Sequence, residues 1–291
     1  MNYVFMSDVS SDLTQELVNE IGIEIIPMEF HMEGKSYLHY PDCRMMSLDE
    51  FYAKLKNGAD SKTTQINYDT FTTYFENYLK AGKDVIYTGI SGGLSGTYNT
   101  CLMAVNDLKE KYPDRKIIAI DSTCDSGGLG LLVYLAAKKY HAGATIEELE
   151  EFINETKNKV CHWVIVDDLD QLKKGGRISS VTATFGKALQ IKPLISVDET
   201  GALVSVGKVR GKSAIIPTLI KYLERDGIDS KENMSIIIHS DNIDAAKELQ
   251  KKVKTYCKEV YICDIGPVIG SHVGSGTLAV TFLGDRYNYK A

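Results

Sequence analysis

The sequence predicts a two-domain α/β protein with a parallel sheet in its first domain. The chain has 291 residues, which is more than one hydrophobic core usually organises. Short apolar runs alternate with amphipathic helical patterns through the first half, as in repeated βαβ units. After about residue 160 the pattern changes to more closely spaced strands. We therefore expect an N-terminal domain over residues 1–160 and a C-terminal α/β domain over residues 161–291, with a ligand-binding cleft between them.

The first half alternates predicted strands and helices. Strands are expected at Val4–Met6, Ile23–Ile26, Asp84–Ile90 and Lys116–Asp121. Apolar stripes predict helices around Leu17, Phe51, Phe75 and Leu132. Ser47 and Thr145 each stand three residues before a glutamate, which is the capping-box pattern of a helix start. Because helices connect the strands, the predicted sheet is parallel and Rossmann-like.

The second half is richer in strands. They are expected at Trp163–Val166, Ile191–Val197, Leu203–Val209, Met234–His239, Glu259–Asp264 and Thr277–Leu283. Residues 198–201 are predicted to form the turn of a hairpin, and one helix is expected around Leu249. No flexible linker separates the halves, so we expect the two domains to pack closely.

Composition argues against several classes of protein. A net charge of −6 and a pI near 5.6 argue against nucleic acid as the main partner. The sequence shows neither a secretion signal nor about 18 consecutive apolar residues, so we expect a cytoplasmic, soluble protein. The six cysteines stand singly, and neither they nor the histidines have the spacing of zinc ligands. We expect reduced core thiols and no metal.

Three segments of small or hydroxyl-bearing residues follow predicted strands, where open α/β sheets bind ligands. The first, Ser7–Asp12, also fits a helix N-cap at Ser11 or Asp12. The second, Ser91–Tyr98, is richer in glycine than a cap requires and offers backbone N–H groups and hydroxyls to an anion. The third, Asp121–Gly130, lacks the spacing and position of a dinucleotide fingerprint. Its glycines fit close packing of a helix on a sheet.

Two segments of the second half carry candidate binding groups. Residues 167–179 form a predicted polar loop with paired basic residues, whose aspartates fit exposed acids better than catalysts. Residues 265–276 place His272 among glycines, and we expect a loop from which the histidine meets a ligand. Ser95 lacks the G-x-S-x-G elbow, and no spacing links it to His272 as part of a triad. No catalytic residue is therefore predicted.

Eight short motifs follow one another along the chain. They are Ser7-Asp8-x-Ser10-x-Asp12-Leu13, Thr63-Thr64-Gln65, Leu94-Ser95-Gly96-Thr97-Tyr98, Asp121-Ser122, Leu172-Lys173-Lys174-Gly175-Gly176-Arg177-Ile178, Lys192-Pro193, Arg210-Gly211 and Ile265-Gly266-Pro267-Val268-Ile269-Gly270-x-His272. In that order and spacing they resemble the DegV family, including its FakB-like fatty-acid-binding members, through nearly the whole chain.

The resemblance implies a DegV-like two-domain fold with one long-chain fatty acid, such as palmitate, in the interdomain cleft and no cofactor. The carboxylate would be bound by Thr63, Ser95, Gly96 and His272. Three further residues would lie near the head group or serve partner docking: Arg177, Arg210 and Ser122. The implied partner is a dihydroxyacetone-kinase-like fatty acid kinase, which phosphorylates the carboxylate while the carrier, itself not an enzyme, presents it. The resemblance is also compatible with transient contact with a membrane surface.

Two positions depart from the family pattern. Thr63-Thr64-Gln65-Ile66 stands where the family usually has Thr-Ser-Gln-Pro, and Ile90-Ser91-Gly92 where it usually has Ile-Ser-Ser. The missing proline predicts a looser loop at Thr63. Gly92 removes one possible hydroxyl from the head-group site.

Two other functions stay open. The first is a phosphoryl- or acyl-transfer enzyme that uses the Ser95 loop and His272, although the sequence shows no nucleotide or metal motif to support it. The second is a regulatory or scaffold protein with an empty cleft, which a tightly packed surface between the domains would favour. The carrier is the main interpretation because hydroxyls and N–H groups can hold a carboxylate without neutralising it. Its oxygen then stays able to attack a phosphoryl donor.

Overall fold

A computed structural model of the chain describes residues 2–167, 169–177, 191–228 and 234–290. The strands in chain order are β1 (Tyr3–Asp8), β2 (Glu24–Ile26), β3 (Met28–Met32), β4 (Lys35–His39), β5 (Ser61–Thr64), β6 (Asp84–Gly89), β7 (Ile117–Asp121), β8 (Val160–Ile165), β9 (Ile191–Val197), β10 (Leu203–Arg210), β11 (Met234–His239), β12 (Glu259–Asp264) and β13 (Leu278–Leu283). The helices are α1 (Gln15–Ile21), α2 (Leu48–Lys56), α3 (Tyr68–Leu79), α4 (Thr97–Lys111), α5 (Ser126–His141), α6 (Ile146–Thr156), α7 (Leu169–Gly175), α8 (Ile215–Asp226), α9 (Ile243–Val253) and α10 (Pro267–Val273).

The first large sheet has the order β2-β1-β6-β7, and all its described pairs are parallel. This confirms the parallel sheet predicted for the first half. The local signals that define its helices act as expected. Gly22 ends α1 in the left-handed conformation with φ 55°, and Thr145 forms a full capping box with Glu148 at the start of α6.

The second large sheet has the order β10-β9-β8-β13-β11-β12. Its pairs are antiparallel except β11 with β12. The predicted hairpin between β9 and β10 is confirmed. One carboxylate oxygen of Asp198 accepts hydrogen bonds from the backbone N–H groups of Thr200 and Ala202, and these bonds hold the turn.

Helix α5 lies between the two large sheets and joins their cores. Its buried leucines share one apolar cluster with Phe5 of the parallel sheet and Ile236 of the mixed sheet. The predicted close packing of its glycines is confirmed: a Cβ at Gly128 would lie 1.7 Å from Nε2 of His162, and one at Gly127 would lie 2.9 Å from Ile238. The core therefore contains residues from both sides of position 160, and the domain limits given above stay a prediction.

Four features differ from the sequence-based expectation, and the first is the helix α8 (Ile215–Asp226), which was not predicted. The small antiparallel sheet β4-β3-β5 was not predicted, although Met28, Phe30 and Met32 alternate into the core. The expected loop around His272 is the helix α10, which has Pro267 in its first turn. The expected polar loop of residues 167–179 contains the helix α7, while Asp168, Ile178 and Ser179 lie outside the described residues.

Five of the six cysteines are buried and all six are free, whereas Cys43 is only half-buried. The expectation of a core thiol is therefore wrong for Cys43. None of the helices in the described part of the chain is long and apolar enough to cross a membrane.

Candidate functional site

A cavity of about 290 Å³ lies where β5, the segment before α4 and helix α10 meet. This volume is close to the lower end of ordinary small-molecule sites, roughly 300–1,000 Å³. Its apolar lining consists of Met28, Ile90, Leu94, Leu203, Val268, Ile269 and Val273. Its polar lining consists of Thr63, Thr64, Gln65, Ser95, Gly96, Asp125, Arg177 and His272. The structure thus brings together five residues that the resemblance assigned to the head-group site or its surroundings.

Thr63 and His272 form the polar centre of the cavity. Thr63 lies on β5, opposite Phe30 of β3, and its Oγ1 is 2.8 Å from Nε2 of His272. The other ring nitrogen, Nδ1, is 3.2 Å from the backbone carbonyl oxygen of Gly175 at the end of α7. A second contact between β5 and α10, Ser61 Oγ to Ser271 Oγ at 2.6 Å, fixes the strand against the helix.

The Ser95 segment presents a hydroxyl next to a helix N-terminus. Ser95 Oγ accepts a hydrogen bond from the backbone N–H of Thr97 at 3.2 Å and lies 2.9 Å from Thr97 Oγ1. Gly96 is the N-cap of α4, and no side chain caps that helix there. A Cβ at Gly96 would lie 2.1 Å from Gln65 Oε1. The close approach of β5 to this segment therefore needs glycine or a shift of the Gln65 side chain.

Ser95 can act as a donor to a ligand in the cavity. The Thr97 hydroxyl oxygen already accepts from the backbone N–H of Ile66. When the Thr97 hydroxyl hydrogen points to Ser95, both lone pairs of Ser95 Oγ are used. The Ser95 O–H is then free for an acceptor in the cavity.

Arg177 supplies the positive charge of the cavity. Its side chain follows α7, is exposed, and donates from one terminal nitrogen to Gly175 O at 2.8 Å. Lys173 and Lys174 on α7 are exposed as well. The site thus carries a basic surface at its margin in a chain whose net charge is −6.

Asp125 is a cavity residue that the sequence reasoning did not assign. It is the N-cap of α5, and its carboxylate is 3.8 Å from Nε2 of the buried His162. Burial raises the pKa of Asp125 to about 6, and the positive charge of Arg286 opposes that rise. One signal for Asp125 was present in the sequence: it lies in a polar segment that directly follows the predicted strand Lys116–Asp121.

Asp8 and Asp12 of the first motif hold the starts of three other segments in place. Asp8 is fully buried, and its Oδ2 accepts from the Tyr87 hydroxyl at 2.6 Å and from the N–H of Ile90, just before the Ser95 segment. Asp12 accepts from the N–H of Gly266 at the start of α10 at 2.9 Å, and from the hydroxyl of Ser126 at the start of α5.

The helix cap expected at Ser11 or Asp12 is wrong. Thr14 caps α1, with its side chain accepting from the N–H of Leu17. Asp12 instead has a positive φ of 50° and lies at the end of a 3₁₀ turn, Val9–Ser11.

The departure at Ile66 has the opposite effect from the one expected. Thr63 lies on a strand and not in a loop. Ile66 is buried, and its backbone N–H donates to Thr97 Oγ1 at 3.3 Å, a bond that proline cannot make. Through its backbone N–H, Ile66 thus links the segment that follows β5 to the first residue of α4.

Ser122 and Arg210 do not line the cavity. The Ser122 hydroxyl is fully buried and donates to the backbone oxygen of Gly89 at 2.6 Å. Arg210 is exposed at the far end of β10 from Leu203, and at roughly 3.3 Å per residue the two positions are about 20 Å apart. Neither residue is placed by the structure to touch a head group in this cavity.

The geometry of the cavity suits binding more than bond-making. His272 is paired with Thr63, while Ser95 is paired with Thr97, so the nucleophile and base of the enzyme alternative are not hydrogen-bonded to each other. In the described part of the chain no three His, Cys, Asp or Glu side chains form a metal site, and the expectation of a metal-free protein stays a prediction.

Hydroxyl, imidazole and guanidinium groups beside an apolar wall characterise the cavity of this α/β protein. Such a lining suits the class of ligand that has both an anionic and an apolar part. The comparisons agree with this fold. The model of the DegV family, described as an uncharacterised protein family, matches residues 4–285. A DegV domain-containing protein of Clostridium perfringens is 39% identical over 285 residues, covering 97% of this chain and 98% of its own. The chain belongs to the DegV family.

Solved structures show the same fold. A DegV family protein from Thermus thermophilus, described by its fatty acid binding, is 25% identical, covers 98% of this chain and 100% of its own, and has a TM-score of 0.88. A DegV lipid-binding protein from Thermotoga maritima is 26% identical, covers 98% of this chain and 99% of its own, and has a TM-score of 0.85. These matches confirm the predicted α/β fold of the DegV type.

Proposed function

We propose that this protein binds one long-chain fatty acid and presents its carboxylate to a fatty acid kinase. The observation that carries the proposal is the cavity itself, where Thr63, Ser95, His272 and Arg177 meet an apolar wall. Fatty acid binding is what the solved DegV relative from Thermus thermophilus is described to do. In this chain the acyl tail would pack on the apolar lining, and the carboxylate would face the hydroxyls.

The tail supplies most of the affinity in this proposal. About sixteen carbons at about 0.8 kcal/mol per methylene give a gross driving force of about 12 kcal/mol. The head group then needs only orientation and hydrogen bonds. Ser95, Thr63 and the backbone at Gly96 provide them without a covalent partner, which leaves the carboxylate oxygen able to attack a phosphoryl group.

Partner docking is assigned to the basic margin of the cavity, formed by Lys173, Lys174 and Arg177. All three are exposed, and Arg177 reaches the cavity while the lysines extend outward from α7. A kinase that must reach the carboxylate has to approach this margin. The partner we propose is a dihydroxyacetone-kinase-like fatty acid kinase, and the carrier alone would form no product.

The test is the double variant Thr63→Val with Ser95→Ala, measured by equilibrium dialysis of radiolabelled palmitate against delipidated protein. Hydrogen bonds to a charged group contribute about 1.5–3 kcal/mol each. Loss of two should weaken binding by about 3 kcal/mol or more, which is at least about a hundredfold in Kd. Thr73→Val on the exposed side of α3 is the matched control and should bind like the wild type. Unchanged palmitate retention in the double variant would remove these two residues from the head-group site.

A further inference from the structure

The two ring nitrogens of His272 have different partners, and this fixes where the hydrogens lie. Nδ1 is 3.2 Å from the carbonyl oxygen of Gly175, which can only accept, so Nδ1 carries a hydrogen. Nε2 is 2.8 Å from Thr63 Oγ1. In a neutral ring Nε2 has only a lone pair, and the Thr63 hydroxyl must therefore donate to it.

This arrangement leaves Thr63 unable to donate to a carboxylate. Its one hydroxyl hydrogen points at His272, and only its lone pairs remain for the cavity. A carboxylate also presents only lone pairs, so the two oxygens would repel. Ser95 does not share this restriction, because its own hydroxyl hydrogen is free when Thr97 donates to it.

The surroundings keep His272 neutral before a ligand arrives. Burial, followed by the nearby charge of Arg177, lowers the pKa of His272 to about 4. Asp125 lies across the same cavity, and the Tyr52 hydroxyl behind α10 donates to the backbone oxygen of Ile265. Other charged groups of the elements packed on α10 are Glu29 and His31 of β3, Lys62 of β5, and Asp170, Lys173 and Lys174 of α7. A bound carboxylate would add a negative charge one hydroxyl away from Nε2.

We propose that binding of a fatty acid carboxylate takes up one proton at Nε2 of His272. The His272–Thr63 hydrogen bond then reverses: Nε2–H donates to Thr63 Oγ1, and the Thr63 hydroxyl donates to the carboxylate. The proton comes from the solvent, and no covalent bond of the fatty acid changes. This inference rests on the proposed function and adds to it a linkage between fatty acid binding and proton uptake. As the pH rises from the pKa of His272 in the free protein to its pKa in the complex, the affinity for the fatty acid should fall about tenfold per pH unit.

The test is isothermal titration calorimetry of the delipidated chain with monomeric dodecanoate at pH 6.0, in phosphate and in Bis-Tris. The two buffers differ widely in ionisation enthalpy, so the difference in observed heat gives the number of protons bound. A neighbouring opposite charge raises the pKa of a base by about 1–3 units, which from about 4 brings His272 to about 7 at most, so we expect most of one proton per dodecanoate for the wild type. His272→Gln should bind with near-zero uptake, because a glutamine amide donates to Thr63 without titrating. Asp125→Asn, which removes the carboxylate of the cavity, should keep most of the wild-type uptake.

Three outcomes would overturn the inference while leaving the proposed function intact: clear binding by the wild type with no proton uptake, full uptake by His272→Gln, or loss of uptake in Asp125→Asn. Absence of any bound dodecanoate would overturn both. If His272→Gln does not fold, ¹⁵N NMR of the wild-type imidazoles decides. The free protein should show His272 as the neutral Nδ1–H tautomer, and the loaded protein should show both nitrogens protonated. An unchanged tautomer on loading contradicts the inference.

Discussion

Asp125→Asn should make the protein more stable above pH 6 and not below pH 4. Asp125 lines the cavity beside the buried ring of His162, and burial raises its pKa from 3.8 to about 6. Because the folded pKa lies above the unfolded one, the native state holds more protons between these two values. The wild type therefore loses stability as the pH rises from about 4 to about 6, and the loss remains at higher pH.

The size of the effect follows from the shift. About two pKa units at about 1.36 kcal/mol each amount to about 3 kcal/mol. Asparagine does not titrate and caps a helix about as well as aspartate, so it should keep the start of α5 intact. The difference in unfolding free energy between the variant and the wild type should grow by about 3 kcal/mol between pH 4 and pH 7.

The assay is urea unfolding followed by circular dichroism at half-unit steps from pH 4 to pH 7.5. Groups far from Asp125 titrate alike in both proteins, so the difference reports Asp125 together with the neighbours that feel its charge, such as Asp12. Asp114→Asn, at an exposed position, is the matched control and should show no pH-dependent difference. A constant difference between Asp125→Asn and the wild type across this range would refute the reasoning.

Three further predictions concern the frame of the site and its margin. Gly128→Ala should lower the free energy of unfolding by about 3 kcal/mol, the upper end of the usual cost of overpacking, because its Cβ would lie 1.7 Å from a ring nitrogen of buried His162. A urea midpoint within error of the wild type would contradict this. Asp12→Ala should cost about 2–6 kcal/mol, since it strands two buried donors at about 1–3 kcal/mol each; a loss below 1 kcal/mol in the same assay would show that these bonds matter little. Lys173→Glu with Lys174→Glu should slow kinase-dependent phosphorylation of bound palmitate about tenfold while palmitate retention in dialysis stays unchanged, and an unaltered rate would remove α7 from the docking surface.

Much of the fold could be predicted because its signals are local. The central strands of the parallel sheet, β1 and β6, are largely apolar and almost entirely buried. Several helices of the first half, such as α1 and α3, have side-chain caps and apolar stripes. The strand β5 could not be found in this way. Its sequence, Ser61–Thr64, has no apolar residue, and its place is set by pairing with β3. The residue proposed to bind the carboxylate, Thr63, thus lies on an element that only tertiary contacts define.

The site could be predicted in part, and through resemblance more than through pattern. Thr63, Ser95 and His272 meet in one cavity although 32 and 177 positions separate them along the chain. No pattern of neighbouring residues in the sequence could predict that these three side chains lie close together. The glycines around His272 favoured the prediction of a loop, although the segment is a helix. Gly270 lies in α10, where a Cβ would come within 2.7 Å of the Tyr52 hydroxyl, so close packing explains this glycine better than a flexible loop does.

Three other residues also show that the resemblance alone does not identify the residues that line the cavity. Arg210 and Ser122 belong to family motifs, yet the structure places one on a distant exposed strand end and gives the other a buried backbone bond. Asp125 lines the cavity although no motif of the resemblance contains it. Membership of a motif therefore does not establish contact with the cavity, which must be read from the structure.

Native mass spectrometry of the protein purified from cells, followed by denaturation and extraction of the bound molecule, tests the central claim most directly. The account predicts one long-chain fatty acid per chain, released on denaturation and identified by its mass. A protein that is empty as purified and also leaves added palmitate and oleate unbound would contradict it.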